Sequence, residues 1–283
     1  MFTFVDTPVK FLGLLVLFAW CTVWCCYELT RPQNLRQRIS NVLHLVMAVV
    51  MLLMVAGPTW RLLVAVVDDT WLAIGFGAAT AWFCWLAARA FTGGDRSGGW
   101  HGLGHAAMFG AMTWHLAAMA TMSSAMSGMS GHGGMGGGMD MASWMAAQSR
   151  PGGTLWLFAL VGLPFMAYLL ASSLYALWQV SRPPLVVAAP CACGPACTCG
   201  PDCACGTSHP AVEARQLVTP DGVALTAQPP PAALAYNCHE VRPQGSGSFR
   251  LANLADFAMN AGMFWMSTGL LVPILPFLAE LAF

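Results

Sequence analysis

Six apolar stretches dominate the chain, and short polar or Gly/Pro-containing segments separate most of them. They run from about residue 9 to 27, 41 to 57, 71 to 91, 102 to 127, 154 to 179 and 252 to 279. A helix needs about 20 mostly apolar residues to cross the hydrocarbon of a bilayer. Pro58 is expected to end the short second stretch, and glycines dilute the fourth. The pattern predicts an all-α integral membrane bundle of about six transmembrane helices.

Composition points the same way and narrows the classes of partner. The chain is 57% hydrophobic and 8% charged, whereas a globular domain carries roughly 25% charged residues. The formal net charge is zero and no basic block is present, which argues against a nucleic-acid partner. The first apolar run lacks a charged region before it and an A-x-A cleavage site, so we expect a retained span. The expected partner is the lipid bilayer.

Two segments interrupt the predicted bundle and divide the chain into three regions. Residues 1–180 form a five-span region that includes a Met/Gly-rich external loop at 128–150. Residues 181–250 form a Cys-rich, Pro/Ala-rich loop, and 251–283 contain the sixth helix. Neither loop has the periodicity of a packed domain, so both are expected to be largely disordered.

The arginines predict how the spans are oriented. Nine of the 12 basic residues fall on one side of the bundle if all six stretches cross the membrane. Lys10, Arg61 and Arg150 fall on the other side. Because cytoplasmic loops carry the excess of Lys and Arg, we expect the Cys-rich loop to be cytoplasmic and both termini to be extracytoplasmic.

Methionine and histidine recur at helical spacing in three of the predicted spans. Of the 18 methionines, 16 lie in the second span, in the fourth span with its following loop, and in the sixth span. The second span carries His44, Met47, Met51 and Met54. The fourth carries His101, His105, Met108, Met112, His115, Met119, Met122 and Met126. The sixth carries Met259, Met263 and Met266.

At about 3.6 residues per turn, each series forms one face of its helix. Such faces are often simple core packing, since the flexible thioether fills irregular gaps. Here histidines share the faces, and polar groups inside a bilayer usually face a bundle interior or a pathway. Thioether and imidazole together suit Cu(I). We therefore predict a metal-lined interior, with Cu(I) as the main candidate and zinc or haem b as others, and packing alone as the alternative.

The long loop contains a cysteine repeat, "CACGPACTCGPDCACG", at residues 191–206. Its six thiols belong to Cys191, Cys193, Cys197, Cys199, Cys203 and Cys205. A C-x-C pair brings two sulfurs to one ion, and the Gly-Pro pairs turn the chain so that successive pairs converge. The run resembles metallothionein-type metal traps. A disulfide framework, disfavoured in a reducing cytoplasm, and a low-complexity tract that binds metal opportunistically are the alternatives.

Two motifs also carry a family resemblance. "HLVMAVVMLLM" and "GHAAMFGAMTWHLAAMATM" resemble an uncharacterised actinobacterial multi-pass membrane family, which is catalogued as a domain of unknown function. The resemblance implies a helical bundle in a bacterial plasma membrane and no established activity. The cysteine repeat does not belong to that pattern. Copper importers of the eukaryotic trimeric type share Met-x-x-x-Met in a span, which supports common chemistry and not a common fold.

Three functions follow as hypotheses. The first is Cu(I) transport, buffering or homeostasis, with a cytosolic metal chaperone as a partner of the cysteines. The second is a b-type haem electron-transfer protein, with His44 and either His101 or His105 as axial ligands. The third is a structural membrane protein whose methionines only pack. We expect no enzyme, because the sequence shows no nucleophilic triad, phosphate loop or paired catalytic carboxylates.

Overall fold

The computed structural model describes residues 7–130, 141–182, 216–218, 224–226 and 246–282, with side chains described at 7–125, 143–182 and 246–280. The helices in these ranges are α1 (Pro8–Leu29), α2 (Leu35–Val55), α3 (Gly57–Val66), α4 (Asp69–Thr92), α5 (Arg96–Ser130), α6 (Met141–Gln148), α7 (Thr154–Ser181) and α8 (Gly247–Leu271). A short 3₁₀ helix, Pro276–Ala282, follows α8. The six cysteines at 191–205 lie outside the described residues.

The long helices pack into one bundle around α5 and α8. Helix α4 packs along α5, and α7 packs along both α5 and α8. Helix α1 lies between α2 and α8, while α5 also contacts α8 directly. This arrangement brings the methionine-bearing faces of α2, α5 and α8 into one buried cluster.

Four of the described helices, α1, α2, α4 and α7, are long and apolar enough to cross a membrane. They indicate a membrane protein, and their outer faces agree with lipid contact. The exposed apolar side chains include Val16, Val23, Leu160, Val161 and Leu174. Such a surface would be a liability in water.

The expectation of six apolar spans is corrected to four. The fourth and sixth predicted spans are helical, as α5 and α8. Over their described residues, however, neither is apolar enough to be identified as a membrane span by its hydropathy. Helix α5 carries glycines and histidines, and α8 carries Asn253, Asp256, Asn260, Ser267 and Thr268. Many of these polar positions face other helices, so their polarity marks an inner position in the bundle.

The second predicted span has different ends from those expected. Helix α2 begins at Leu35, because the Asn34 side chain accepts a hydrogen bond from the Gln37 backbone N–H in a capping box. Helix α2 ends at Val55, before Pro58, and another helix follows directly instead of a loop. Pro58 occupies the first turn of α3, where the missing N–H of proline costs no hydrogen bond.

The two predicted loops contain regular structure at the positions that the structure describes. Helix α5 continues to Ser130, and α6 lies inside the predicted 128–150 loop. The 181–250 loop contains β1 (Gln216–Val218) and β2 (Ala224–Thr226), an antiparallel pair whose backbone register pairs Leu217 with Leu225. Helix α8 begins at Gly247, earlier than the predicted sixth span. The structure thus describes short regular elements within both segments, and the prediction that the two loops are largely disordered stays a prediction.

Candidate functional site

Eight methionine side chains from three helices form the centre of the bundle. Each is at most 5% exposed, and all belong to one buried cluster. We call this set the methionine seam: Met47, Met51 and Met54 on α2, Met108 and Met112 on α5, and Met259, Met263 and Met266 on α8. Met119 and Met122 continue the α5 face but are half-buried. The side chain of Met126 lies outside the described residues.

Three imidazoles form a hydrogen-bonded chain between α2 and α5. His44 Nε2 lies 3.0 Å from His105 Nδ1, and His105 Nε2 lies 3.1 Å from His101 Nε2. At its inner end, His44 Nδ1 lies 2.7 Å from the backbone oxygen of Ser40. The structure thus brings together the three histidines that the sequence placed at similar depth, and we call them the histidine chain.

The Ser40 carbonyl sets the direction of every hydrogen bond in the histidine chain when the rings are neutral. A carbonyl oxygen only accepts, so the proton of His44 lies on Nδ1 and its Nε2 is an acceptor. His105 then donates from Nδ1 to His44 and accepts at Nε2. His101 donates from Nε2, and its Nδ1 is the unprotonated nitrogen.

Aromatic rings enclose the inner part of the histidine chain. The His44 ring meets Phe83 and Phe109 edge-on, with centroids 5.5 Å and 5.2 Å away. His105 also contacts Phe83, at 5.2 Å. Both phenylalanines are fully buried. These rings exclude water from one side of the imidazoles and restrict their rotation.

The opposite end of the seam carries a second group of buried polar side chains. His115 Nδ1 lies 2.8 Å from the Ser267 hydroxyl, which links α5 to α8. Lys10 Nζ donates to the Thr268 hydroxyl at 3.0 Å, which links α1 to α8. Lys10 is 2% exposed and His115 is 6% exposed. The seam therefore lies between two polar layers, and polar groups at such depth are commonly functional in membrane proteins.

A cavity of about 890 Å³ opens beside the histidine chain. Its wall includes all three imidazoles and two thioethers of the seam, Met108 and Met259. Helices α1, α2, α5, α7 and α8 all contribute to it. The cavity is the access route to the seam that the described residues offer at this end.

In the part of the chain that the structure describes, no group of three or more His, Cys, Asp or Glu side chains is arranged to hold a metal ion. Five of the six ring nitrogens of the histidine chain take part in the hydrogen bonds described above. A metal ion bound by two or more of these imidazoles would therefore have to replace one of those hydrogen bonds. The thioethers of the seam are a separate class of ligand. Cys21 and Cys25 are buried, free thiols in α1.

Several residues of this region were not singled out from the sequence. The sequence gives no signal for three of them, because their backbone carbonyl or hydroxyl groups follow no recognisable spacing. These residues are Ser40, Ser267 and Thr268. Lys10 could have been recognised from the sequence, because a lysine in an apolar span is rare. Such a lysine either extends its amine toward the membrane surface or pairs with a polar group. The structure shows the second case, with Thr268 as its hydrogen-bond acceptor.

Comparison with known proteins identifies the family to which the chain belongs. A family model described as "Domain of unknown function (DUF5134)" matches residues 36–270, which include the entire methionine seam and histidine chain. No curated protein and no solved structure matches the chain.

Proposed function

We propose that this chain, which belongs to the family described as a domain of unknown function (DUF5134), is a membrane protein that handles Cu(I) in transport, buffering or homeostasis. The observation that supports the proposal is the methionine seam. Three helices bury their thioethers together, and each end of the seam carries histidine. Leucine would pack these positions equally well, yet it is largely absent from them.

The chemistry of the seam suits a soft monovalent ion. Thioethers are neutral, soft ligands that select Cu(I) over the harder divalent ions, and imidazole is a compatible partner. A path of neutral sulfurs lets a cation enter an apolar bundle without a buried anion, whose isolated charge would be costly. The cysteine run at 191–206 would receive or supply the ion, together with a cytosolic metal chaperone.

Copper content of the purified protein tests this function. The triple variant Met47→Leu, Met112→Leu, Met263→Leu removes one thioether from each helix and roughly conserves volume. We expect its copper-to-protein ratio, after loading with Cu(I) under reducing conditions, to fall to less than half that of the parent. The measurement is made with the six cysteines at 191–205 replaced by serine, so that only copper bound to the helical bundle is counted.

Met166→Leu is the matched control. Met166 is a buried methionine of α7, 2% exposed, and lies outside the seam. Its replacement should leave the copper content unchanged. Equal copper in the parent and the triple variant would favour the alternative in which the methionines only pack.

A haem is the second candidate, and the cavity is the observation that favours it. Its volume of about 890 Å³ falls in the range of cofactor sites, and three histidines line it. Iron held between two imidazoles would separate their nitrogens by about 4 Å, twice a metal–nitrogen bond of about 2 Å. The 3.0 Å contact of His44 with His105 would have to open. A Soret band in the purified protein would decide for haem.

The six-span arrangement and its orientation are also part of the proposal. Helices α5 and α8 are long enough to cross as inner helices, shielded from lipid by α1, α4 and α7. The arginine distribution then places the Cys-rich loop in the cytoplasm and both termini outside, in a bacterial plasma membrane.

Reporter fusions test the orientation. An alkaline phosphatase domain, which is active only outside the cytoplasm, is fused after Gly94 in the α4–α5 turn or after Gly152 before α7. We expect activity after Gly152 and none after Gly94. The reverse result would invert the assignment of sides, and activity at both or neither position would contradict an α5 that crosses the membrane.

A further inference from the structure

The cavity beside the histidine chain is much larger than a metal ion requires. It encloses about 890 Å³ between five helices, a volume typical of sites for small organic molecules. A bare ion with three or four ligands occupies a small fraction of that space. The cavity is therefore large enough for an organic ligand in addition to any metal ion.

The described side chains in the cavity wall that carry a formal charge are all negative. Among the described residues that line the cavity, the side chains with a formal charge are Glu28 of α1 and Asp256 of α8, and none is lysine or arginine. Glu28 is 6% exposed, whereas Asp256 is exposed. A cavity with carboxylates and low-dielectric walls concentrates cations and repels anions.

One buried acceptor in the same wall has no donor. Asn260 is 5% exposed, and its Nδ2 donates to the backbone oxygen of Asp256 at 2.8 Å. Its Oδ1 is buried without a hydrogen-bond partner. Buried amide oxygens are nearly always paired. Asp256 and Asn260 are four residues apart on α8 and share a face. A cationic ligand with an N–H donor would therefore satisfy Asn260 Oδ1 while its positive charge lies beside the Asp256 carboxylate.

Aromatic rings form much of the remaining wall. Six of the lining residues are aromatic: Trp24, Trp100, Phe165, Tyr168, Tyr175 and Phe249. Ring faces attract cations, and they also accept the flat apolar body of an aromatic ligand. A carboxylate, a buried acceptor without a donor and an aromatic wall together favour one class of ligand.

We infer that this cavity binds a lipophilic organic cation, with its positive charge beside Asp256, an N–H donor at Asn260 Oδ1 and its apolar body against the aromatic rings. The observations that carry this assignment are independent of copper. The site would give the protein a second ligand, taken up from the membrane or from the solution beside the histidine chain.

Ethidium is a suitable probe, because it is a flat aromatic cation with amine donors whose fluorescence rises in an apolar site. The full chain, purified in detergent without copper, is titrated with ethidium against empty micelles. We expect saturable binding. Asp256→Asn should weaken the affinity about tenfold or more, because it removes the charge at the site. Asn260→Leu should weaken it several-fold, while Asp256→Glu should retain binding.

Two controls make the result specific. Asp69→Asn removes a carboxylate in the first turn of α4, outside the cavity, and should leave ethidium affinity unchanged. Nile red, a neutral aromatic probe, should bind parent and Asp256→Asn alike, which shows that the cavity is intact. Equal ethidium affinity in parent and Asp256→Asn, or no binding above empty micelles, would overturn the assignment. Copper content does not enter either outcome, so the copper proposal stands or fails separately.

Discussion

Gly162→Ala is expected to destabilise the bundle by about 1–3 kcal/mol, although alanine is the better helix former. A Cβ at this position of α7 would overlap the ring of Trp114 on α5. Trp114 is 5% exposed, and its Nε1 donates to the Phe158 backbone oxygen at 2.9 Å. The ring is thus held on two sides and cannot move aside. Thermal unfolding of the detergent-solubilised protein, followed by circular dichroism, measures the effect.

The matched control is Gly75→Ala. Gly75 also lies within a long helix, α4, but apart from its chain neighbours and its own helix backbone no atom lies within 4 Å of the position of an added Cβ. This change should be neutral or stabilise by up to about 1 kcal/mol, because alanine restricts the unfolded chain. Stabilisation of both variants would show that helix propensity, and not the contact with Trp114, determines the outcome.

His105→Phe should be the most damaging change within the histidine chain. It removes the central ring and leaves the buried Nε2 of His44 without its donor and the Nε2–H of His101 without its acceptor. A buried polar group that loses its hydrogen-bond partner, here His44 Nε2, costs about 1–3 kcal/mol. His101→Phe should cost less, because it removes only the outer ring, which is exposed and lines the cavity. Unfolding free energies of the two variants provide the comparison.

The double variant His44→Phe, His105→Phe separates hydrogen bonding from shape. Replacing both partners with apolar rings leaves no orphaned nitrogen between them, so its destabilisation should fall short of the sum of the single changes. A coupling of about 0.5–3 kcal/mol is expected for residues in direct contact. Strict additivity would mean that the 3.0 Å contact between His44 and His105 contributes nothing to stability.

Helical periodicity explains why the seam was found in advance. The spacing of three and four along α2, α5 and α8 places the methionines on one face of each helix, and a helix that packs into a bundle turns one face inward. Composition also marked the chain as a membrane protein. Composition did not separate α5 and α8 from the other predicted spans. Their polar residues, several of which are buried between helices, keep both below the hydropathy of the four apolar helices.

Contacts between helices could not be anticipated in the same way. The sequence placed His44 at the depth of His101 or His105 but did not show that His105 lies between the other two. It did not show that Gly162 makes room for Trp114, or that Asp256 and Asn260 share a cavity with histidines of α2 and α5. Each of these depends on the rotation and register of two helices far apart in the chain.

The sequence by itself therefore determined that the chain is helical and apolar, that three of its helices carry thioether faces, and that histidines share those faces. These properties are local, since they follow from the rise and turn of a single helix. Only the tertiary structure decided that the faces meet in one buried seam, that a Ser40 carbonyl orders the histidine chain, and that a cavity with acidic side chains opens beside it. Close packing of side chains from five helices sets these features, and no one segment contains the information.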